Sequence, residues 1–239
     1  MPAVEHTKAD EIATALEEAI AVGAIQPGTV LRQDQLSRDF NVSRTPVREA
    51  LRRLAGLGLA SFEPNRGVRV RALDRDQWRE IFLVRAALEG LAAELAAPRI
   101  TEVELEELAA AEREFERTTD ALRSDLEGDE RQAVAFQWLQ ANTRFHDVIL
   151  RGARSELIER LARSVRRAFS GRSIWRPDSE LDRLYARMVH QHAAIREALA
   201  ARSPRGAREI SSEHALDSWR LLEAILDEGA FGQRSGRGT

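Results

Sequence analysis

The sequence predicts a mainly α-helical protein in two parts. These are a winged helix-turn-helix domain over residues 1–73 and an all-helical antiparallel bundle of six helices, or seven, over 74–229. Three observations lead there. Asn41 to Gly58 sets an apolar stripe against an arginine-rich side, and a hairpin with turn chemistry follows it. After Ala72, apolar residues recur at three- and four-residue spacing with almost no strand signal.

The first helix spans Lys8 to Val22, with Thr7 as cap and Gly23 as stop; Ile12, Leu16, Ala19 and Ile20 line its inner face. Arg32 to Phe40 forms a short helix with Leu36 and Phe40 inward; Asn41 breaks it and Val42 plugs the turn. Ser43 caps the next helix, and Pro46 falls in its first turn, where a missing N–H costs nothing. Val47, Ala50, Leu51, Leu54 and Leu57 form its apolar face. Arg44, Arg48, Arg52 and Arg53 stand outside that stripe, the first two near the N-terminus, the end a recognition helix presents to base edges in the major groove. Short strands at Leu59 to Glu63 and Val68 to Arg71 flank Pro64-Asn65-Arg66-Gly67, a turn with a cationic tip.

The bundle helices are expected at Asp76 to Ala97, Thr101 to Leu126, Arg131 to Leu150, Ser155 to Phe169, Ser179 to Ala201 and Pro204 to Glu228. In the first, Trp78, Ile81, Phe82, Arg85, Leu88 and Leu91 share one side; the second opens on a capping box, Thr101 to Glu104. Residues 230–239, rich in Gly and Arg with little to bury, are expected to be disordered.

Composition narrows the class. The chain of 239 residues has no cysteine, so neither a disulfide framework nor thiol chemistry is available. No apolar run approaches the roughly 20 residues needed to span a bilayer, and Met1-Pro-Ala-Val-Glu-His lacks a signal pattern, so a cytoplasmic protein without a membrane partner is expected. The net charge is −3, yet Arg44 to Arg71 carries arginines at 44, 48, 52, 53, 66, 69 and 71 against Glu49 and Glu63. A local basic footprint on an acidic chain suits selective docking on double-stranded DNA; the plainer alternative is a solvated helix face.

The runs Gly28 to Arg32, Val42 to Leu54, Gly58-Leu59 and Pro64 to Gly67 resemble the GntR family of bacterial transcription regulators over nearly all of the first seventy residues. The resemblance implies that Arg44 and Arg48 contact bases, usually guanine, and that Gly67 approaches the minor groove beside Arg66. Bidentate guanidinium-to-guanine bonding supplies the reason for the first role, and the missing side chain gives room for the second. Ser43 and Thr45 would hold phosphate, setting register without reading sequence, and Arg52 adds charge to the same face. One family branch has an arginine just before the second helix; this chain has Asp34 and Gln35 there, and Arg32 is the nearest substitute.

The second half resembles the effector-binding domain of the FadR-type (FCD) subfamily, through Phe82 to Glu89, Asn142 to His146, His192 to Leu199 and His214. Six helices place it nearer the shorter, VanR-like branch. Many members of that subfamily bind a divalent metal through an Asp or Asn and three histidines, and the matching positions are Asn142, His146, His192 and His214. Spacing supports the set independently. Asn142 and His146 share a face at i, i+4, and an antiparallel bundle can bring the fifth and sixth helices against the third. Three imidazoles and one oxygen suit zinc or nickel better than calcium or magnesium. His190 points to another face of its helix. Asn142 is the departure from an Asp, a neutral ligand that leaves charge for a carboxylate effector to supply.

Arg85, on an otherwise apolar side, has two readings: an intrahelical pair with Glu89, or a clamp for an effector carboxylate. The resulting expectation is a metabolite-responsive transcription factor, more often a repressor in this family. It would be a homodimer on a pseudo-palindromic operator, with a small organic acid bound near the metal and the 66–74 segment as lever. The rivals are an architectural DNA-binding dimer, an acyl-CoA-responsive regulator without metal, and a metal-dependent hydrolase, against which stands the lack of a carboxylate base beside the histidines.

Overall fold

In a computed structural model the described residues are 7–21, 24–56, 58–63, 67–71, 75–124, 126–167 and 179–234. The chain divides into two compact units, Met1–Leu73 with Ser164–Ser173, and Asp74–Arg163 with Ile174–Thr239. The first runs α1 (Lys8–Ala21), β1 (Val30–Leu31), α2 (Gln33–Asp39), α3 (Arg44–Gly56), β2 (Ala60–Glu63) and β3 (Gly67–Val70). Thr7 Oγ1 accepts from the Asp10 N–H and the Thr7 N–H donates to the Asp10 carboxylate, so α1 starts where its cap requires. Asn41 takes φ 51°, the left-handed conformation that ends α2. Val42 and Phe40 pack on a core of Ile12, Leu16, Ile20, Leu36, Val47, Leu51 and Leu54.

The wing is a three-stranded sheet in the order β1-β3-β2, antiparallel throughout. Two of these strands are legible in the sequence. β1 is not, because two residues carry no periodicity; only the pairing of Val30 with Arg69 and Leu31 with Val68 defines it. Gly67 has φ +103°, and a Cβ there would lie 3.0 Å from the Leu31 carbonyl oxygen, so this glycine is needed for the β1 crossing irrespective of any ligand.

The remaining elements are α4 (Arg75–Ala96), α5 (Glu102–Leu122), α6 (Gly128–Gly152), α7 (Glu156–Arg167), α8 (Ser179–Ala200) and α9 (Pro204–Arg234). Six helices are therefore present among the described residues, as expected. α5 stops four residues before the expected Leu126, and α9 continues beyond 230, where disorder was expected; residues 235–239 lie outside the described ones. The α5 capping box forms as read. Burial alone would push the Glu104 carboxyl up, but bonds from the Thr101 N–H and hydroxyl, joined by the Arg154 guanidinium, outweigh it and hold the carboxyl below the usual range.

One face differs from its reading. On α4 the buried residues are Trp78, Phe82, Arg85, Ala86, Glu89, Gly90, Ala92, Ala93 and Ala96, while Ile81, Leu88 and Leu91 are only half-buried. Small residues win because α9 approaches closely. A Cβ on Gly90 would sit 2.1 Å from Ser212 Oγ, and that hydroxyl donates to the Ala86 carbonyl at 3.0 Å. The Arg202 guanidinium, at a left-handed residue between α8 and α9, donates to the Ala97 and Ile100 carbonyls just past α4, tying the helix ends together.

Candidate metal centre and nucleic-acid interface

His146 on α6, His192 on α8 and His214 on α9 converge. Each can offer a ring nitrogen, and the three nitrogens lie within 4.8 Å of one another. All are buried, at 4%, 0% and 1% exposure, which separates them from His190, exposed on α8. Ligand nitrogens about 2.0–2.1 Å from one tetrahedral zinc would stand about 3.3–3.4 Å apart, so the three rings would close in on a bound ion. Ring packing sets the positions. His192 stacks on Phe145 with centroids 4.1 Å apart and leans on Phe115 at 4.5 Å; its centroid is 5.3 Å from that of His146 and 4.6 Å from that of His214.

Asn142 lies one turn before His146 on the same face of α6, 7% exposed, and its Oδ1 is buried without a hydrogen-bond partner. A buried, unsatisfied amide oxygen costs about 1–3 kcal/mol unless something accepts it as a ligand. Three imidazoles plus that oxygen fit a divalent metal in donor type and burial, and would hold it in the bundle core; a bound metal there would supply Lewis acidity and a positive charge.

Two groups absent from the expected set stand behind the histidines. Glu89 Oε2 faces His146 Nδ1 at 3.2 Å, and its other oxygen accepts from Arg85 Nε at 2.8 Å. Gln191 Oε1 lies 3.2 Å from His214 Nδ1, while its Nε2 donates to Asp217 Oδ2 at 2.6 Å. Arg85 thus realises the intrahelical pair, wholly buried, with its guanidinium 4.7 Å from the Phe82 ring centroid. Nothing in the i, i+4 spacing of Arg85 and Glu89 points to His146, since that contact crosses from α4 to α6. Asp147 forms an ion pair with Arg163 of α7 at 2.6 Å, so it is turned away from the histidines.

On the first unit, Arg32, Ser43, Arg44, Thr45, Arg48, Arg52 and Gly67 are all exposed. α3 begins at Arg44, putting Ser43 at the N-cap position, and the Gln33 amide donates to the Arg44 carbonyl at 2.6 Å, anchoring the start of the helix. Arg44 Nε meets Asp34 Oδ1 at 2.8 Å, a surface pair worth about 0–1 kcal/mol that can be exchanged for a base or phosphate. Arg32 occupies the N-cap position of α2 without capping it. Two of the arginines in the basic stretch serve the fold: Arg53 bonds Asp10 of α1, and Arg69 bonds Glu63 and the Gly28 carbonyl. Arg66 and Leu57 lie outside the described residues, as do 72–74 of the expected lever.

The family of bacterial regulatory proteins named gntR matches residues 8–70, and the FCD domain family matches residues 80–217. The chain belongs to the GntR family, in its FCD-domain form. It is 27% identical over 214 residues to the uncharacterized HTH-type transcriptional regulator YdhC of Bacillus subtilis, spanning 90% of each chain. It is 45% identical over 78 residues to the HTH-type transcriptional repressor RspR of Escherichia coli, which covers 33% of this chain and 34% of that one. The solved structure of E. coli McbR/YncC shares the fold, with a TM-score of 0.71 at 22% identity over 91% of this chain and 98% of that chain. GntR regulators bind operator DNA and are not enzymes, which disposes of the hydrolase reading. Among the described residues, no helix is long and apolar enough to cross a membrane.

Proposed function

We propose that this GntR regulator is a cytoplasmic, metabolite-responsive repressor. It acts as a homodimer on a pseudo-palindromic operator and is controlled by a small carboxylate bound at a metal in the FCD domain. The observation that carries the reading is the buried three-histidine cluster with Asn142 beside it. Nitrogen-rich donors favour zinc or nickel. The charge balance favours an anionic effector: three neutral imidazoles and an amide give a divalent metal no compensating charge, and the Glu89 carboxylate is already matched by Arg85. Arg85 would share its guanidinium between Glu89 and the effector. The repressor sign is supported by the similarity to the repressor RspR, and six bundle helices support a place near the VanR-like branch.

Arg44 and Arg48 would read bases in the major groove, with Ser43 and Thr45 on phosphate and Arg32, Arg52, Arg66 and Gly67 along the flanks. The effector changes operator affinity only by preferring one arrangement of the dimer. The test is metal content by mass spectrometry on protein purified without a nickel column, followed by operator binding with small carboxylates. About one zinc or nickel per chain, lost in His192→Ala and held more tightly in Asn142→Asp, is expected. A metal-free wild type whose operator affinity no carboxylate shifts would refute the reading and leave an architectural dimer or an acyl-CoA sensor.

A further inference from the structure

We infer that Gln191 and Glu89 are positioning residues for the metal centre, fixing the His214 and His146 tautomers so that each presents Nε2 to the ion. The inference rests on the metal-binding reading above. It starts from Asp217, 1% exposed, whose Oδ2 accepts from Gln191 Nε2 at 2.6 Å and from Arg187 Nε at 2.8 Å, and whose Oδ1 pairs with Arg220. A carboxylate held by two guanidinium groups only accepts, so the Gln191 amide has one permitted orientation, with NH₂ toward Asp217 and Oε1 toward His214. An amide oxygen cannot donate. His214 Nδ1, 3.2 Å away, therefore carries the proton, which leaves Nε2 as the nitrogen available to an ion.

Glu89 imposes the same choice on His146. Its Oε1 is occupied by Arg85, and Oε2 faces His146 Nδ1 at 3.2 Å, so that nitrogen is the donor. Helices α4 and α8 thus aim ligands that sit on α6 and α9. Correct tautomer and ring angle are set before the metal arrives, which is the work outer-sphere partners do in metal sites. Arg187 and Arg220 are half in solvent, so the Gln191 chain runs from the buried ring to the surface of α8 and α9.

The test uses the full-length protein stripped with a chelator, titrated with zinc against a competing chelator, with Gln191→Met as the main variant. Methionine keeps the volume but makes neither hydrogen bond, and Asp217 retains both arginines. The expected result is zinc affinity about 10–100-fold weaker, in a metal-free protein that still unfolds cooperatively but at a somewhat lower melting temperature, because two buried hydrogen bonds are lost. Glu89→Gln, whose single oxygen cannot accept from both Arg85 and His146, is expected to weaken zinc binding as well. Equal zinc affinity in wild type and Gln191→Met overturns this inference alone; a wild type that binds no zinc overturns the metal reading with it. Nitrogen-15 NMR of the metal-free wild type needs no variant: His214 protonated at Nε2 instead of Nδ1 also overturns the inference.

Discussion

Gly90→Ala probes the tightest helix contact in the FCD domain. The new methyl would lie 2.1 Å from Ser212 Oγ, 3.4 Å from Arg208 Cγ and 3.1 Å from the Arg208 carbonyl oxygen. Ser212 can rotate away, but only by giving up its bond to the Ala86 carbonyl, at about 0.5–1.5 kcal/mol. The backbone oxygen cannot rotate, so α9 must shift, and overpacking of this kind costs about 1–3 kcal/mol. Alanine recovers about 1 kcal/mol in helix propensity, since Gly90 lies inside α4. The net expectation is a loss of about 1–3 kcal/mol, or a melting temperature lower by roughly 3–10 °C for a domain of this size. Thermal denaturation of the metal-free protein measures it. Adding Ser212→Ala should return part of the loss, leaving the Arg208 contact. A melting temperature that rises in Gly90→Ala would mean that α4 and α9 stand further apart than argued.

Two other predictions concern separate parts of the chain. Arg48→Ala is expected to weaken operator binding by about 1–3 kcal/mol and to relax preference at one base pair. Arg53→Ala, whose guanidinium is bonded to Asp10, should leave operator affinity near wild type; titrations on matched and single-mismatch duplexes separate the two, and an equal loss in both variants would contradict the interface. Because the Glu104 carboxyl is held below its ordinary value of 4.5, it stabilises the fold above that pH and its contribution is lost as pH falls through the lowered value. Glu104→Gln, which can keep the capping box but loses the charge, should therefore be less stable than wild type at neutral pH by about 0.3–1 kcal/mol, with the gap closing on acidification. Urea unfolding at both pH values checks this, and a gap that widens in acid would be fatal to it.

The sequence by itself determined what is periodic or local. Helices α3 to α9 were legible from apolar spacing, Asn41 and Thr101 from the conformations those residues favour, and Asn142 with His146 from one helical turn of separation. Motif resemblance carried His192 and His214, and the fold then placed both beside His146. Tertiary structure decided everything that depends on a neighbour distant in sequence. β1 exists only through its pairing with β3, and the buried face of α4 turned toward its small residues because α9 comes close at Gly90. Arg53 and Arg69 left the cationic face for Asp10 and Glu63. Glu89 and Gln191 looked like ordinary helix polar residues until α4 met α6 and α8 met α9. Periodicity reports which side of a helix is apolar, whereas a hydrogen bond between helices is set by packing distances that no single helix contains.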